Sequence, residues 1–223
     1  MGKGHFFSFT KKYSDLVLEG GSIESDGNGT VLTTTHCMLS PNRNPHLSKE
    51  EIEQKLIQLF GLKRVLWLHS GHLMGDDTDA HIDTVARFCD ENTIAYVQCT
   101  DRNEVHYVDL KKMEMELQEM RTMAGQPYNL LPLPMAEPVF APDDNRRLPA
   151  TYANFLILNE VVLMPTYQSA LDSVALEQLQ KAFPNKKVIG VDCSALILQH
   201  GSLHCITMQF PKGSINLNQS SHS

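Results

Sequence analysis

An α/β fold is predicted by the sequence, on two observations. The order hairpin, helix, strand recurs three times along the chain, and the helical stretches each carry one apolar face beside short β-branched runs. In the first round, Leu16-Val-Leu and Val31-Leu-Thr-Thr-Thr flank the turn-rich Asp26-Gly-Asn-Gly and read as a hairpin. The helix from Ser48 to Phe60 opens on a capping box, Ser48 with Glu51, and lines up Ile52, Leu56, Leu59 and Phe60 before Gly61 ends it. Arg64-Val-Leu-Trp-Leu is the strand that follows.

The second round pairs His81–Phe88 with Thr93–Gln98 as strands. A helix over Asp109–Met123 then presents Leu110, Met113, Leu117 and Met120, and Tyr128–Pro134 is a strand. The third runs Asn154–Leu158, a turn at Asn159-Glu160, and Val161–Met164, then a helix over Val174–Phe183 and a strand at Lys187–Val191. Repeats of this kind bury each unit's apolar face against its neighbours. Residues 1–211 are expected to form the C-terminal part of a single domain, and 212–223, which include the Ser/Asn-rich stretch from Gly213 to Ser223, a disordered end.

Bulk properties narrow the function. A chain of 223 residues, 42% hydrophobic, can bury a proper core, and no apolar run reaches the length that spans a bilayer. The opening residues carry neither a secretory apolar region nor a small-residue cleavage site, so a cytoplasmic location is expected. Five cysteines without regular spacing fit a reducing compartment. A formal charge of −7 argues against a nucleic-acid partner, which needs a basic face.

Four residues could carry chemistry. His81 and Asp83 stand two apart in a strand-like segment, which would turn both side chains one way. An imidazole beside a carboxylate suits proton transfer next to a bound cation, and a polar surface strand is the alternative reading. Glu19 ends an apolar run just before Gly20-Gly21, where it could reach into a cleft or lie in a solvated turn. Cys205, after a glycine turn and next to His204, could be a nucleophile or a small core residue. Cys37, Cys89, Cys99 and Cys193 are assigned to packing. A metal site built from His69, His72, Asp76 and Asp77 is the rival idea, weakened by spacing that matches no zinc motif.

The order of four motifs along the chain is more specific than any one of them. Leu18-Glu-Gly-Gly-Ser-Ile-Glu, Gly75-Asp-Asp-Thr-Asp-Ala-His-Ile-Asp with Ala86-Arg-Phe, Tyr152-Ala-Asn-Phe, and Leu203-His-Cys-Ile-Thr resemble the agmatine deiminase family, which includes the bacterial type of peptidylarginine deiminase. The resemblance runs from about Leu16 to Pro211. It implies the pentein fold, an α/β propeller of five units, of which about three would be present. The missing stretch would precede Met1 and would include a second guanidinium-binding carboxylate.

Carried over residue by residue, the resemblance makes Cys205 the nucleophile and His81 the general acid/base. It makes Asp83 a guanidinium-binding carboxylate and Glu19 the carboxylate that orients the histidine. Ala80 departs from the usual glycine before the histidine, and His200-Gly-Ser-Leu departs from a glycine-rich run. The implied reaction converts agmatine to N-carbamoylputrescine and ammonia through a covalent cysteine intermediate. The runner-up is peptidyl- or free-arginine deimination, and a silent fragment needing an N-terminal partner is the reading of another class. The expected ligand is a small cationic guanidine, with no metal or organic cofactor and no membrane. Self-association or pairing with an N-terminal fragment is expected.

Overall fold

The structure, a computed structural model, describes residues 13–210. It contains three copies of one unit. In the first, β1 (Ile23–Ser25) pairs antiparallel with β2 (Thr30–Thr34), and β2 pairs parallel with β3 (Arg64–Leu68). A short helix, α1 (Thr35–Met38), and the longer α2 (Lys49–Phe60) make the crossover. The second unit repeats this with β4 (Ala86–Phe88), β5 (Thr93–Gln98), α3 (Tyr107–Glu119) and β6 (Asn129–Pro134). A small extra hairpin, β7 (Val139–Phe140) with β8 (Arg147–Leu148), separates it from the third. The third comprises β9 (Leu156–Ile157), β10 (Val161–Thr166), α4 (Asp172–Ala182) and β11 (Lys187–Asp192).

Each sheet has its hairpin's second strand in the centre, and the sheets remain separate. A closed five-unit propeller is therefore not seen; the architecture is mixed α/β with three open sheets. Neighbouring units are joined by helix packing instead, since α3 lies against β3 and α4 against β6. The larger core is continuous across these joints and includes Leu32, Ile82, Ile94, Met113, Tyr152 and Phe155. A second cluster, with Val31, Ile52, Leu56 and Val65, sits beneath α2.

A buried ion pair pins the three hairpins together. Arg87 of β4 donates through Nε to Glu24 of β1 at 2.6 Å and through Nη1 to the Phe155 carbonyl at 2.6 Å, with its guanidinium 5.0 Å above the Phe155 ring. Glu24 also accepts from the Phe88 backbone at 3.1 Å, so charge and lone pairs are both used. Sequence motifs singled out for chemistry thus also carry the junction of the fold.

Three expectations are corrected. Leu16–Leu18 is not a strand; the hairpin's first strand is Ile23–Ser25, and the Leu16–Leu18 segment is bound instead by Asn44, which exchanges two 2.9 Å hydrogen bonds with the Val17 backbone. The segment His81–Phe88 is not one strand, because Ile82–Thr84 forms a 3-10 turn before β4. Thr84 closes that turn by donating its hydroxyl to the His81 carbonyl at 2.7 Å. Cys205 lies in another 3-10 turn, His204–Ile206, and is not the small core residue of the alternative reading. The expected tail lies outside the described residues. Among these, no helix is long and apolar enough to cross a membrane.

Candidate active site

Glu19 immediately precedes a 3-10 turn, Gly20–Ser22, whose backbone is set by Ser22 donating both N–H and hydroxyl to the Glu19 carbonyl. From there the carboxylate meets the His81 Nε2 at 3.0 Å and the Arg43 Nε at 2.6 Å. Burial opposes ionisation of Glu19, but the bonds from Arg43 and His81 prevail and hold the carboxyl below its ordinary value.

His81 is presented by a tight turn with an unusual backbone. Asp79 and Ala80 both adopt left-handed angles, with φ of 60° and 61°. Asp76 stabilises this path by accepting from the backbone of Thr78 and Ala80, and Thr34 donates its hydroxyl to the Ala80 carbonyl at 2.7 Å. The methyl of Ala80 therefore has a cost that its size does not suggest, because glycine adopts this conformation freely and alanine does not.

Asp83 is the meeting point. Its side chain is 1% exposed, and its Oδ2 accepts from His204 Nδ1 at 2.7 Å and lies 3.9 Å from the Cys205 sulfur. The other oxygen, Oδ1, has no hydrogen-bond partner among the described residues. On the opposite flank, a Cβ added to Gly21 would come within 2.6 Å of His81 Nδ1 and 2.9 Å of Asp83 Oδ2. Of the two glycines after Glu19, Gly21 is thus required by close approach, while Gly20 faces open space.

Cys205 is held by Asn154. The Asn154 carbonyl oxygen accepts from the His204 backbone at 2.8 Å and from the Cys205 backbone at 3.4 Å, and lies 3.5 Å from the sulfur. Its amide donates to the Asp83 carbonyl at 3.2 Å. One fully buried side chain therefore couples the cysteine loop to the Asp83 turn. Glu19, His81, Asp83 and Cys205 all line one cleft of about 580 Å³, with Gly21 and Asp77 on its wall. The i, i+2 strand argument for His81 and Asp83 fails, yet the 3-10 turn brings both to Gly21. Although Cys205 is exposed as a residue, burial of its thiol, then the charge of Asp83, raises the thiol pKa above its ordinary value.

The rival metal set is dispersed. Asp76 caps the turn, Asp77 faces the cleft, and His69 and His72 line a separate recess with His36. Donor atoms do converge elsewhere, at Glu19, Cys37 and His81, all within 4.8 Å of one another. That cluster suits a cation poorly. Arg43 already occupies the Glu19 oxygen that meets His81, and burial pushes the Cys37 thiol up to about 12, far from the thiolate a metal needs.

Residues 5–211 match the family model of the Porphyromonas-type peptidyl-arginine deiminases. The chain belongs to that family. A Marinomonas sp. (strain MWYL1) protein provisionally named agmatine deiminase is 40% identical over 215 residues, which cover 90% of this chain and 58% of the relative. A Porphyromonas gingivalis structure provisionally described as an arginine deiminase superposes with a TM-score of 0.87 at 56% identity, over 90% of this chain and 59% of that one. The C. jejuni agmatine deiminase with substrate bound gives 0.80 at 47% identity, over 86% and 55%. The chain thus spans less than two thirds of the length of these deiminase relatives.

Sequence reasoning about this family member missed Arg43, Asn154 and the position of Cys37. Asn154 was visible in Tyr152-Ala-Asn-Phe, but nothing in a single asparagine announces which loops it joins. Cys37 was read as packing, and it is fully buried, though its thiol sits beside Glu19 and His81.

Proposed function

We propose that the chain hydrolyses a C–N bond of a guanidinium, with agmatine as first substrate. The observation that carries this reading is Asp83: one buried carboxylate oxygen without a partner, beside a cysteine sulfur 3.9 Å from the other. A planar cation with N–H groups is what such a carboxylate accepts, and binding it places the central carbon next to Cys205. In this reading the bound cation cancels the charge that holds the Cys205 proton.

The thiolate then attacks the guanidinium carbon. His81, charged and oriented by Glu19, gives a proton to the departing nitrogen, which leaves as ammonia. A covalent S-amidino intermediate remains. Water attacks it, neutral His81 takes the water's proton, and the C–S bond breaks to restore Cys205. Guanidinium and water become a urea group and ammonium, so charge and atoms balance.

Agmatine is favoured over arginine by the cleft wall. It carries Glu19, Asp77 and Asp83, and among the described residues no lysine or arginine to receive an α-carboxylate. The family description and the P. gingivalis relative favour the arginine reading. The pentein propeller belongs to this proposal too, supported by the threefold recurrence of one unit. The test is ammonia release from agmatine, arginine and a blocked arginine peptide by the whole chain, with Cys205→Ser as control. Release from agmatine that Cys205→Ser abolishes supports the proposal; release that survives the substitution contradicts it. No release would favour a chain that needs further residues to complete the site.

A further inference from the structure

We propose that Arg43 is a positioning residue, which aims Glu19 at His81 and holds the turn that presents His81. The inference rests on the reading of His81 as the proton-transfer group. Arg43 is remote from Cys205 in role: its side chain is 8% exposed and does not line the cleft. Its three N–H directions are all in use at once, on Glu19 and on the Thr78-Asp79 turn, which lie far apart in sequence. Nε donates to Glu19 Oε2 at 2.6 Å, Nη1 to Asp79 Oδ2 at 2.7 Å, and Nη2 to the Thr78 carbonyl at 2.8 Å. A guanidinium fork can satisfy three directions in this way, whereas a lysine ammonium is a point charge on a flexible stem.

Both targets need holding. The Glu19 side chain is 46% exposed, so without a restraint it would be free to turn into water and leave His81 Nε2. Asp79 and Ala80 are in a conformation that costs non-glycine residues energy and persists only where surrounding bonds over-determine it. Arg43 supplies two such bonds, one to Asp79 and one to Thr78. The segment bearing Arg43 is itself anchored, because the neighbouring Asn44 exchanges two hydrogen bonds of 2.9 Å with the Val17 backbone. Adjacent residues therefore grip the chain leading to Glu19 and the Glu19 side chain.

The groups around His81 show which contact the substitution disturbs. Glu19 and Cys37 face the ring from one side, with Arg43 behind Glu19 and Asp79 beyond it, and Asp83 with its partner His204 lies across Gly21. Arg43→Lys keeps the positive charge but cannot hold Glu19 and the turn together. The aimed carboxylate then leaves His81 Nε2, and the hydrogen bond of 3.0 Å is lost with it.

The test reads the His81 ring nitrogens by long-range proton–nitrogen NMR at one fixed pH in the full chain, for wild type, Arg43→Lys, Glu19→Gln and the double variant. Arg43→Lys and Glu19→Gln should each move the Nε2 resonance in the same direction, as loss of its bond to Glu19 requires, and Arg43→Lys should add nothing in the Glu19→Gln background. Where agmatine turnover is measured, kcat should fall about tenfold with KM changing less, as the loss of a transition-state proton donor requires. An unchanged His81 Nε2 resonance in Arg43→Lys, with a lowered melting temperature alone, would overturn the proposal. So would a further shift in the double variant. If Arg43→Lys does not fold, Asp79→Asn removes the anchor opposite Glu19, and it should move the His81 Nε2 resonance the same way by a smaller amount; no shift would again overturn it. Wild type that releases no ammonia would sink the deiminase reading, while the Nε2 resonance would still judge Arg43.

Discussion

At Cys205 two influences act in one direction, since burial and then the Asp83 carboxylate both raise the thiol pKa above its ordinary value. Reactivity follows the thiolate, so labelling by neutral iodoacetamide should be slow at pH 7 and climb only in alkaline solution. Asp83→Asn should shift that rise to lower pH, because it removes a repelling charge. A rate already at its plateau at pH 7 would show that some other group stabilises the thiolate. The residue identities were legible in the sequence through four motifs, but their partners were not. Asn154 and Cys205 are 51 residues apart, and Arg43 and Asp79 are 36 apart. Such pairings are made by tertiary approach, which no local pattern encodes.

The elements divide along the same line. Helix α2 was readable because its signals are local: Ser48 and Glu51 satisfy each other's backbone donors, and Gly61 closes the helix at φ 65°. The Asp26 turn is equally self-contained, with its carboxylate accepting from Asn28 and Thr30. The segment from His81 to Thr84 was misread as part of a strand, because Thr34 and Arg43, both distant, impose the path of the turn that leads into it. Ala80→Gly should relieve the left-handed strain and stabilise the protein by about 1 kcal/mol, less the entropy that glycine restores to the unfolded chain. Urea denaturation measures it, and a loss of stability would contradict the strain argument. The Glu24–Arg87 pair should be far more sensitive. Arg87→Met leaves Glu24 buried without its partner and should cost roughly 3–5 kcal/mol in the same experiment, with Glu24→Gln recovering part of it.

For the whole molecule, helix packing still leaves apolar side chains exposed at both ends. Strand β11 packs against α4, yet Ile189 on it is exposed, as are Leu59 and Phe60 of α2. We expect the chain to self-associate through these apolar faces, which sedimentation at rising concentration would detect. Ile189→Glu should weaken the association. A monomer at all concentrations, unaffected by the substitution, would contradict the expectation. The threefold unit was legible in the sequence, whereas the open sheets were not, because hydrophobic period reports which face is buried and not which edge finds a partner.

The account turns on a cationic amidine being drawn by Asp83 to Cys205, and covalent labelling tests that most directly. The protein is treated with 2-chloroacetamidine and, in parallel, with neutral chloroacetamide, then digested, and the added mass is located by mass spectrometry. The account predicts amidine label on Cys205 in preference to Cys37, Cys89, Cys99 and Cys193, a faster reaction than with the neutral amide, and loss of that preference in Asp83→Asn. Equal labelling of several cysteines, or equal rates for the two reagents at Cys205, would contradict it.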